Sequence, residues 1–427
     1  MSRPTQAADD LDRYRADARA WLEAHLPRRA GTTLRAHDIT PEQLAADRAL
    51  QKEVYEAGYL GITLPTAYGG QGLSGKHQRV WNEESAGFAV PLPGGVASGV
   101  TLGIVLPTLL AHASEEQKRA WIPKILSGEE IWVQLLSEPG AGSDLAGILT
   151  RATRDGDVWV LNGTKVWSSG AMSADYGVCL ARTNWDAPKH RGLTWFKVPL
   201  DDPAVTVRPI REINGSSEFC EEFLDDVAVG DDMVIGEVDA GWPIANFMLG
   251  VERGGAASNV GGDAPVLGTR SGRRPLAPDL VELAEARGLT GDGATRQLVA
   301  KAHINDYLQT QLTKRVVETM MAGKADPSLA SLIKLGLGVV QPVRAAAAME
   351  IAGRAGLAWD ADGSAGHAAA VNFLNGRIMS IAGGSNQIQR NIISERLLGL
   401  PREPSTDGDK PFRDVLRAAK TWGARKP

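Results

Sequence analysis

Near Ile131 the apolar residues of this 427-residue chain stop recurring at helical spacing, and after Trp242 they resume it. Between those points short β-type runs at 158–161, 176–181, 192–198 and 205–209 are broken by Gly, Asp and Asn. A helical period and a strand period bury different sets of side chains, so they mark different layers. The expected fold is therefore α+β in three parts. These are an N-terminal helical domain over 1–130, a middle β-barrel or sandwich domain over 131–238, and a C-terminal helical bundle over 239–427. The length agrees, since 427 residues exceed what one hydrophobic core organises.

Local signals refine this outline. Residues 11–26 read as a helix stopped by Pro27, and Thr40 caps a second over 41–57 with Pro41 in its first turn. Further helical stretches fall at 80–86 and 114–127, the latter opening on the capping-box pattern Ser114-Glu115-Glu116-Gln117. In the middle block, Asn162-Gly163 between two β-runs predicts a hairpin turn. Beyond it, 294–322 and 328–354 read as long amphipathic helices. Residues 372–399 read as a third, interrupted by Gly383-Gly384, and 261–278 as a loop.

Composition excludes several functions. A net charge of −5 supplies no basic footprint for nucleic acid. No apolar run approaches the roughly 20 residues of a membrane helix. Residues 1–15 are polar and mixed in charge, unlike a signal or transit peptide. Cys179 and Cys220 lack metal-ligand spacing and read as free thiols of a reducing compartment. The expectation is a cytoplasmic enzyme. Gly70-x-Gly72-x-x-Gly75 fits the dinucleotide fingerprint but lacks the strand it needs in front. The seven histidines form no zinc motif, and no nucleophile elbow is present.

Two segments do suggest chemistry. Ser137-Glu138-Pro139-Gly140-Ala141-Gly142-Ser143-Asp144 combines glycines, which let backbone N–H groups approach an anion, with small hydroxyls. Asn162-Gly163-Thr164-Lys165-Val166-Trp167-Ser168-Ser169-Gly170 places a Trp beside two hydroxyls, a setting suited to a flat ring. Together they resemble the two flavin-contacting motifs of the acyl-CoA dehydrogenase family, T-E-P-x-A-G-S-D and N-G-x-K-x-W-I-T-N. Ile381-Ala382-Gly383-Gly384-Ser385-Asn386-Gln387-Ile388-Gln389-Arg390 resembles the family's Y-E-G-T-x-x-I-Q-R. Residues 64–72 resemble its P-x-x-Y-G-G-x-G loop.

The resemblance implies FAD as cofactor and an acyl-CoA or acyl-carrier thioester as substrate. It also implies an electron-transfer flavoprotein as acceptor, and a homotetramer or mixed tetramer. By the same resemblance Ser137 contacts the flavin's pyrimidine edge, Trp167 lies against its ring and Ser169 bonds near N5. Ser143 sits near the substrate's pantetheine and phosphates. Ser385 and Gln387 reach the pyrophosphate and adenine half of FAD. The family's R-x-x-F-G motif, which supplies an Arg from a neighbouring subunit, is absent, leaving Arg287 or Arg296 as substitutes.

The reaction needs a carboxylate in a water-poor pocket and donors on the thioester oxygen. In many members the base is the Glu of Y-E-G-T, where this chain has Gly383. Isovaleryl-CoA dehydrogenase and its relatives instead carry the base on an earlier helix, in a Glu-Arg pair. Leu249-Gly250-Val251-Glu252-Arg253-Gly254 falls where that pair belongs. Glu252 is therefore the expected base, Arg253 a contact to substrate or to Glu252, and the Gly383 N–H a donor to the thioester oxygen. Two other readings stay open. One is a non-catalytic or half-active subunit of a heteromeric dehydrogenase, the other a flavin monooxygenase or oxidase on the same fold.

Overall fold

The computed structural model describes residues 4–28, 39–91, 95–258, 280–322, 326–358, 365–405 and 407–424. Helix α1 (Pro4–His25) stops just before Pro27, whose ring removes the next backbone donor. Helix α2 (Pro41–Glu56) starts on its expected cap, with Thr40 Oγ1 accepting from Gln43 N–H at 3.2 Å. Helices α3 (Gly75–Ser85), α4 (Val96–His112) and α5 (Glu115–Ser127) complete the first part. At the start of α5 the Ser114 hydroxyl accepts from Gln117 N–H at 3.1 Å. The Gln117 side chain accepts from Ser114 N–H at 3.0 Å, closing the box. Helix α4 has no polar stripe, because it is packed on most sides, and so it leaves no period in the sequence.

Eight strands follow: β1 (Trp132–Leu135), β2 (Arg151–Asp155), β3 (Val158–Ser169), β4 (Tyr176–Arg182), β5 (Leu193–Pro199), β6 (Val205–Pro209), β7 (Phe219–Gly230) and β8 (Val234–Ile235). They form one sheet in the order β6-β7-β3-β2-β4-β5-β8, with β1 parallel to β4. The hairpin expected at Asn162-Gly163 is not there. Strand β3 runs straight through that pair, and the turn lies at Gly156-Asp157, between Asp155 and its partner Val158. Gly163 instead permits close approach, since a Cβ there would stand 2.3 Å from Thr150 Oγ1.

The last part contains α6 (Gly241–Ser258), α7 (Leu280–Ala286), α8 (Gly293–Met321), α9 (Ala330–Ala352), α10 (Ala365–Asn375), α11 (Asn386–Ile392) and α12 (Phe412–Ala424). The loop expected at 261–278 lies outside the described residues. The helix expected across 372–399 is broken into pieces. Helix α10 ends at Asn375, a 3₁₀ turn covers Ile378–Ser380, and Gly383 and Gly384 take φ of +64° and +89° before α11 begins. Only glycine holds two successive left-handed residues cheaply. The segment Pro327–Ala352 is long and apolar enough to cross a bilayer, and here α9 is the centre of the bundle, packed on α6, α8, α10 and α11.

One apolar core ties the parts together, running from Leu22 and Leu106 through Trp132 and Trp195 to Met248. It fixes α6 at its N-terminal half. Glu252, four residues past Met248, stands on the same helix face one turn on.

Candidate active site

The two glycine-and-hydroxyl segments meet at a buried lysine. Lys165, fully buried, donates to Leu136 O at 3.1 Å, Leu180 O at 2.8 Å and Glu138 Oε1 at 2.9 Å. The Glu138 carboxylate also accepts from the Leu149 N–H at 2.6 Å and the Thr150 N–H at 2.9 Å. Burial pushes the Glu138 carboxyl up, yet Lys165 and these N–H donors outweigh it and hold the group below the usual carboxylate range. One more bond, Val166 N–H to Ser137 O at 2.9 Å, locks Ser137 beside β3. Ser137 is half-buried and Ser143 exposed on the loop beyond.

Next on β3 the register with β7 slips between Val166 and Ser168, and Trp167 takes φ of +67°. A left-handed conformation at a bulky residue costs on the order of 1–2 kcal/mol and turns the indole outward. Its ring is 58% exposed and meets Phe219 edge-on, 5.9 Å between centroids, so the indole is left largely uncovered. Ser169 is half-buried two residues on.

Beneath this bulge lies a residue the sequence reading missed. Ser168, at the Ile position of the family motif, donates its hydroxyl to Glu222 Oε2 at 2.8 Å, while Glu222 Oε1 has no partner. Glu222 is fully buried, and burial pushes its carboxyl up to about 8 against the opposing pull of Ser168 and Lys165. The native state therefore keeps a proton that the unfolded chain releases above its ordinary value. Stability contributed by that proton is complete below the ordinary carboxylate pKa and is lost as pH rises to about 8. Glu222→Gln is expected to flatten this slope, so that denaturant melts between pH 5 and 9 show a relative gain of roughly a few kcal/mol at the alkaline end. An unchanged slope would assign the titration to another group.

The second set of residues lies in the bundle. Glu252 on α6 is half-buried, and its carboxylate faces the double-glycine turn. A Cβ built on Gly383 would stand 3.1 Å from Glu252 Oε1 and 3.1 Å from Lys334 Cε. Thus the carboxylate occupies the surroundings of the position where the resemblance places a Glu in other members. Burial pushes the Glu252 carboxyl up, while Arg253 and Lys334 pull it down. Arg253 Nε is buried without a partner, and burial lowers that guanidinium against the pull of Glu252. The turn is held from behind by Gln389, fully buried, whose Nε2 donates to Gly383 O and Gly384 O, each at 3.2 Å. Ser385 caps α11 by accepting from Ile388 N–H at 3.3 Å, and Gln387 is exposed.

Ser137, Trp167 and Ser169 are thus assembled where the segment after β1 meets β3, and Glu252, Arg253 and Gly383 at one turn of the bundle. The loop between β6 and β7 also reaches the bundle, where Asn214 Nδ2 donates to Asn375 Oδ1 at 2.7 Å. Among the described residues no hydrogen bond or ion pair joins the two sets directly. Arg287, just after α7, and Arg296, in the first turn of α8, are exposed, and among the described residues no hydrogen bond or ion pair links them to either set. Lys334 and Gln389 escaped sequence reasoning, although a lysine within the largely apolar run 329–340 is a visible irregularity.

Profiles described as acyl-CoA dehydrogenase N-terminal, middle and C-terminal domains match residues 8–129, 134–227 and 239–398. Acyl-CoA dehydrogenase IpdE1 of Mycobacterium tuberculosis is 35% identical over 402 residues, covering 92% of this chain and 99% of that protein. The chain belongs to the acyl-CoA dehydrogenase family. It is an oxidoreductase of that type, with the family's three-part fold. Acyl-CoA dehydrogenase FadE34 of the same organism is 36% identical over 395 residues, 90% of this chain. The chain spans only 52% of FadE34's length. Among solved structures, the Tcur3481-Tcur3483 steroid ACAD aligns with a TM-score of 0.73 at 30% identity, over 92% of this chain and 98% of that one. The ChsE4-ChsE5 complex of M. tuberculosis aligns with a TM-score of 0.65 at 26% identity, over 92% and 98%.

Membership implies FAD, and the strand set fits it. An exposed indole on a strained bulge suits stacking by a flat ring. Gly140 and Gly142 also have open space where a Cβ would lie.

Proposed function

We propose that this chain desaturates an acyl thioester between its α and β carbons, with Glu252 taking the α-proton. The observation that carries this reading is the carboxylate of Glu252 set against Gly383, at 3.1 Å from the Cβ that position lacks. A base on the earlier helix reaches the place that the missing Glu would have served, which is the isovaleryl-CoA dehydrogenase arrangement. FAD, when bound, supplies the acceptor for the β-hydride. Trp167, Ser169 and Ser137 would hold its ring, and Ser385 and Gln387 its pyrophosphate and adenine half. Arg287 or Arg296 would come from a neighbouring subunit. Ser143 and Arg253 would hold the thioester's CoA or carrier end and its acyl end.

The chain's own part is proton chemistry. Glu252, raised by burial, is a stronger base than a surface carboxylate, and the charges of Arg253 and Lys334 oppose that rise. The Gly383 N–H, in a turn fixed by Gln389, is offered to the thioester oxygen as charge develops there. The α-proton goes to the Glu252 carboxylate, the β-hydride leaves with its electron pair, and a carbon–carbon double bond forms.

The glycine also bears on the substrate. With no side chain at 383, space is left beside the reacting carbons, which favours a branched or fused-ring acyl group. A solved relative named as a steroid ACAD supports this. Gly383→Ala is expected to lower kcat/KM for bulky acyl-CoAs about 10-fold more than for straight short ones, measured with a substrate panel and an artificial electron acceptor. Equal losses across the panel would remove the substrate inference.

The division at 1–130, 131–238 and 239–427, a cytoplasmic setting, a tetramer and re-oxidation by an electron-transfer flavoprotein belong to the same reading. A second reading has this chain as one member of a mixed pair. It is favoured by two solved relatives that are named as pairs. Flavin stoichiometry and turnover of the isolated chain test the two together. A chain that loads FAD and desaturates a thioester alone supports the first reading. A chain that does neither until a partner is added supports the second.

A further inference from the structure

Lys334 is a lysine in the second turn of an apolar helix. It is 3% exposed on α9, next to Ile333, which is fully buried. An ammonium taken out of water needs partners. Its Nζ donates to Met379 O in the 3₁₀ turn that leads to Gly383. Among the described residues the opposite charge acting on it is Glu252. Glu252 Oε1 and Lys334 Cε each lie 3.1 Å from the point where a Gly383 Cβ would stand, so those two atoms are at most about 6 Å apart, with the ammonium one bond beyond Cε.

Resting on the reading of Glu252 as base, we propose that Lys334 is a positioning residue for it. The ammonium, tied to the Met379 carbonyl, keeps Glu252 an anion facing Gly383. Three observations agree. The bond to Met379 fixes the lysine relative to the turn that carries Gly383. Burial strips the ammonium of water, so its charge is felt strongly over this distance. And the charged groups acting on the pair are few. Arg253 comes from α6 itself, with Arg396 acting on Arg253, and Lys334 comes from α9. The 383–384 turn presents backbone, and α4 presents His112, packed on Phe247 more than a turn away at 4.9 Å. When Glu252 has accepted the proton, the lysine faces a neutral acid, which favours release of that proton and resets the base.

The test is kcat/KM against pH on the FAD-loaded enzyme, with the acyl-CoA it reduces fastest, for wild type, Lys334→Met and Lys334→Arg. Removing a cation raises the carboxyl's pKa, so in Lys334→Met the acid limb moves to higher pH by about 1–3 units. The alkaline plateau stays within about 3-fold of wild type, and Lys334→Arg returns the limb to its wild-type place. A limb that stays put while the plateau falls overturns the proposal, because loosened packing predicts that pattern. Infrared difference spectra of the Glu252 carboxyl band against pH, with Glu252→Gln as blank, give the same shift without turnover. Should Lys334→Met fail to fold, Lys334→Gln takes its place in both measurements. A wild-type limb that survives in Glu252→Gln refutes the base reading itself. A limb lost there but unmoved in the lysine variants refutes the role of Lys334 alone.

Discussion

Glu252→Gln is expected to lower kcat by about 10³-fold, within the range a positioned general base contributes. Flavin content should stay unchanged, because Gln keeps the shape of Glu. The residues proposed for FAD on β3 share no hydrogen bond or ion pair with Glu252 among the described residues. The pH dependence carries a sign as well. Burial pushes the Glu252 carboxyl up, so wild-type kcat/KM should rise with pH through a limb above the ordinary carboxylate range. In Glu252→Gln that limb should vanish. Glu252→Asp, one methylene shorter, should retain part of the rate and the limb. A wild-type rate in Glu252→Gln would place the base elsewhere.

The second large effect concerns the strand side. Lys165→Met removes the cation bonded to the buried Glu138 carboxylate and leaves Leu136 O and Leu180 O without this donor. Breaking a buried pair from one side costs about 3–5 kcal/mol, because the remaining charge stays desolvated. Urea unfolding should show that loss. Flavin should dissociate from the folded variant more readily, since Leu136 loses its bond to β3 and Ser137 is left held by the Val166 N–H alone. The pair Lys165→Met with Glu138→Gln should recover much of the stability, as a neutral amide can keep part of the bonding to Leu149 and Thr150. If Lys165→Met alone melts like wild type, the ion pair is not what holds the two segments together.

The helix–sheet–helix order is legible in the sequence because each part buries its own period, and the caps at Thr40 and Ser114 are written in short local patterns. Asn162-Gly163 misleads because a glycine that makes room for Thr150 looks locally like one that makes a turn. The break between Asn375 and Ser385 is hidden by apolar residues that continue a helical period across it. Of the site, Trp167, Glu252 and Gly383 are visible through motif resemblance. Glu222 is not, since its meeting with Ser168 depends on a register slip between strands 54 residues apart. Lys334 meets Glu252 only when α9 packs on α6, a tertiary event that no local pattern records.

The central claim is that Glu252 of this chain takes the α-proton of an acyl thioester. An anaerobic titration of the purified, FAD-loaded chain with a panel of acyl-CoAs, following the flavin absorbance in wild type and Glu252→Gln, tests it most directly. Bleaching is expected in wild type with at least one bulky thioester, and none in Glu252→Gln over the same period. Bleaching of both proteins at the same rate would contradict it, as would a wild-type flavin that no thioester reduces.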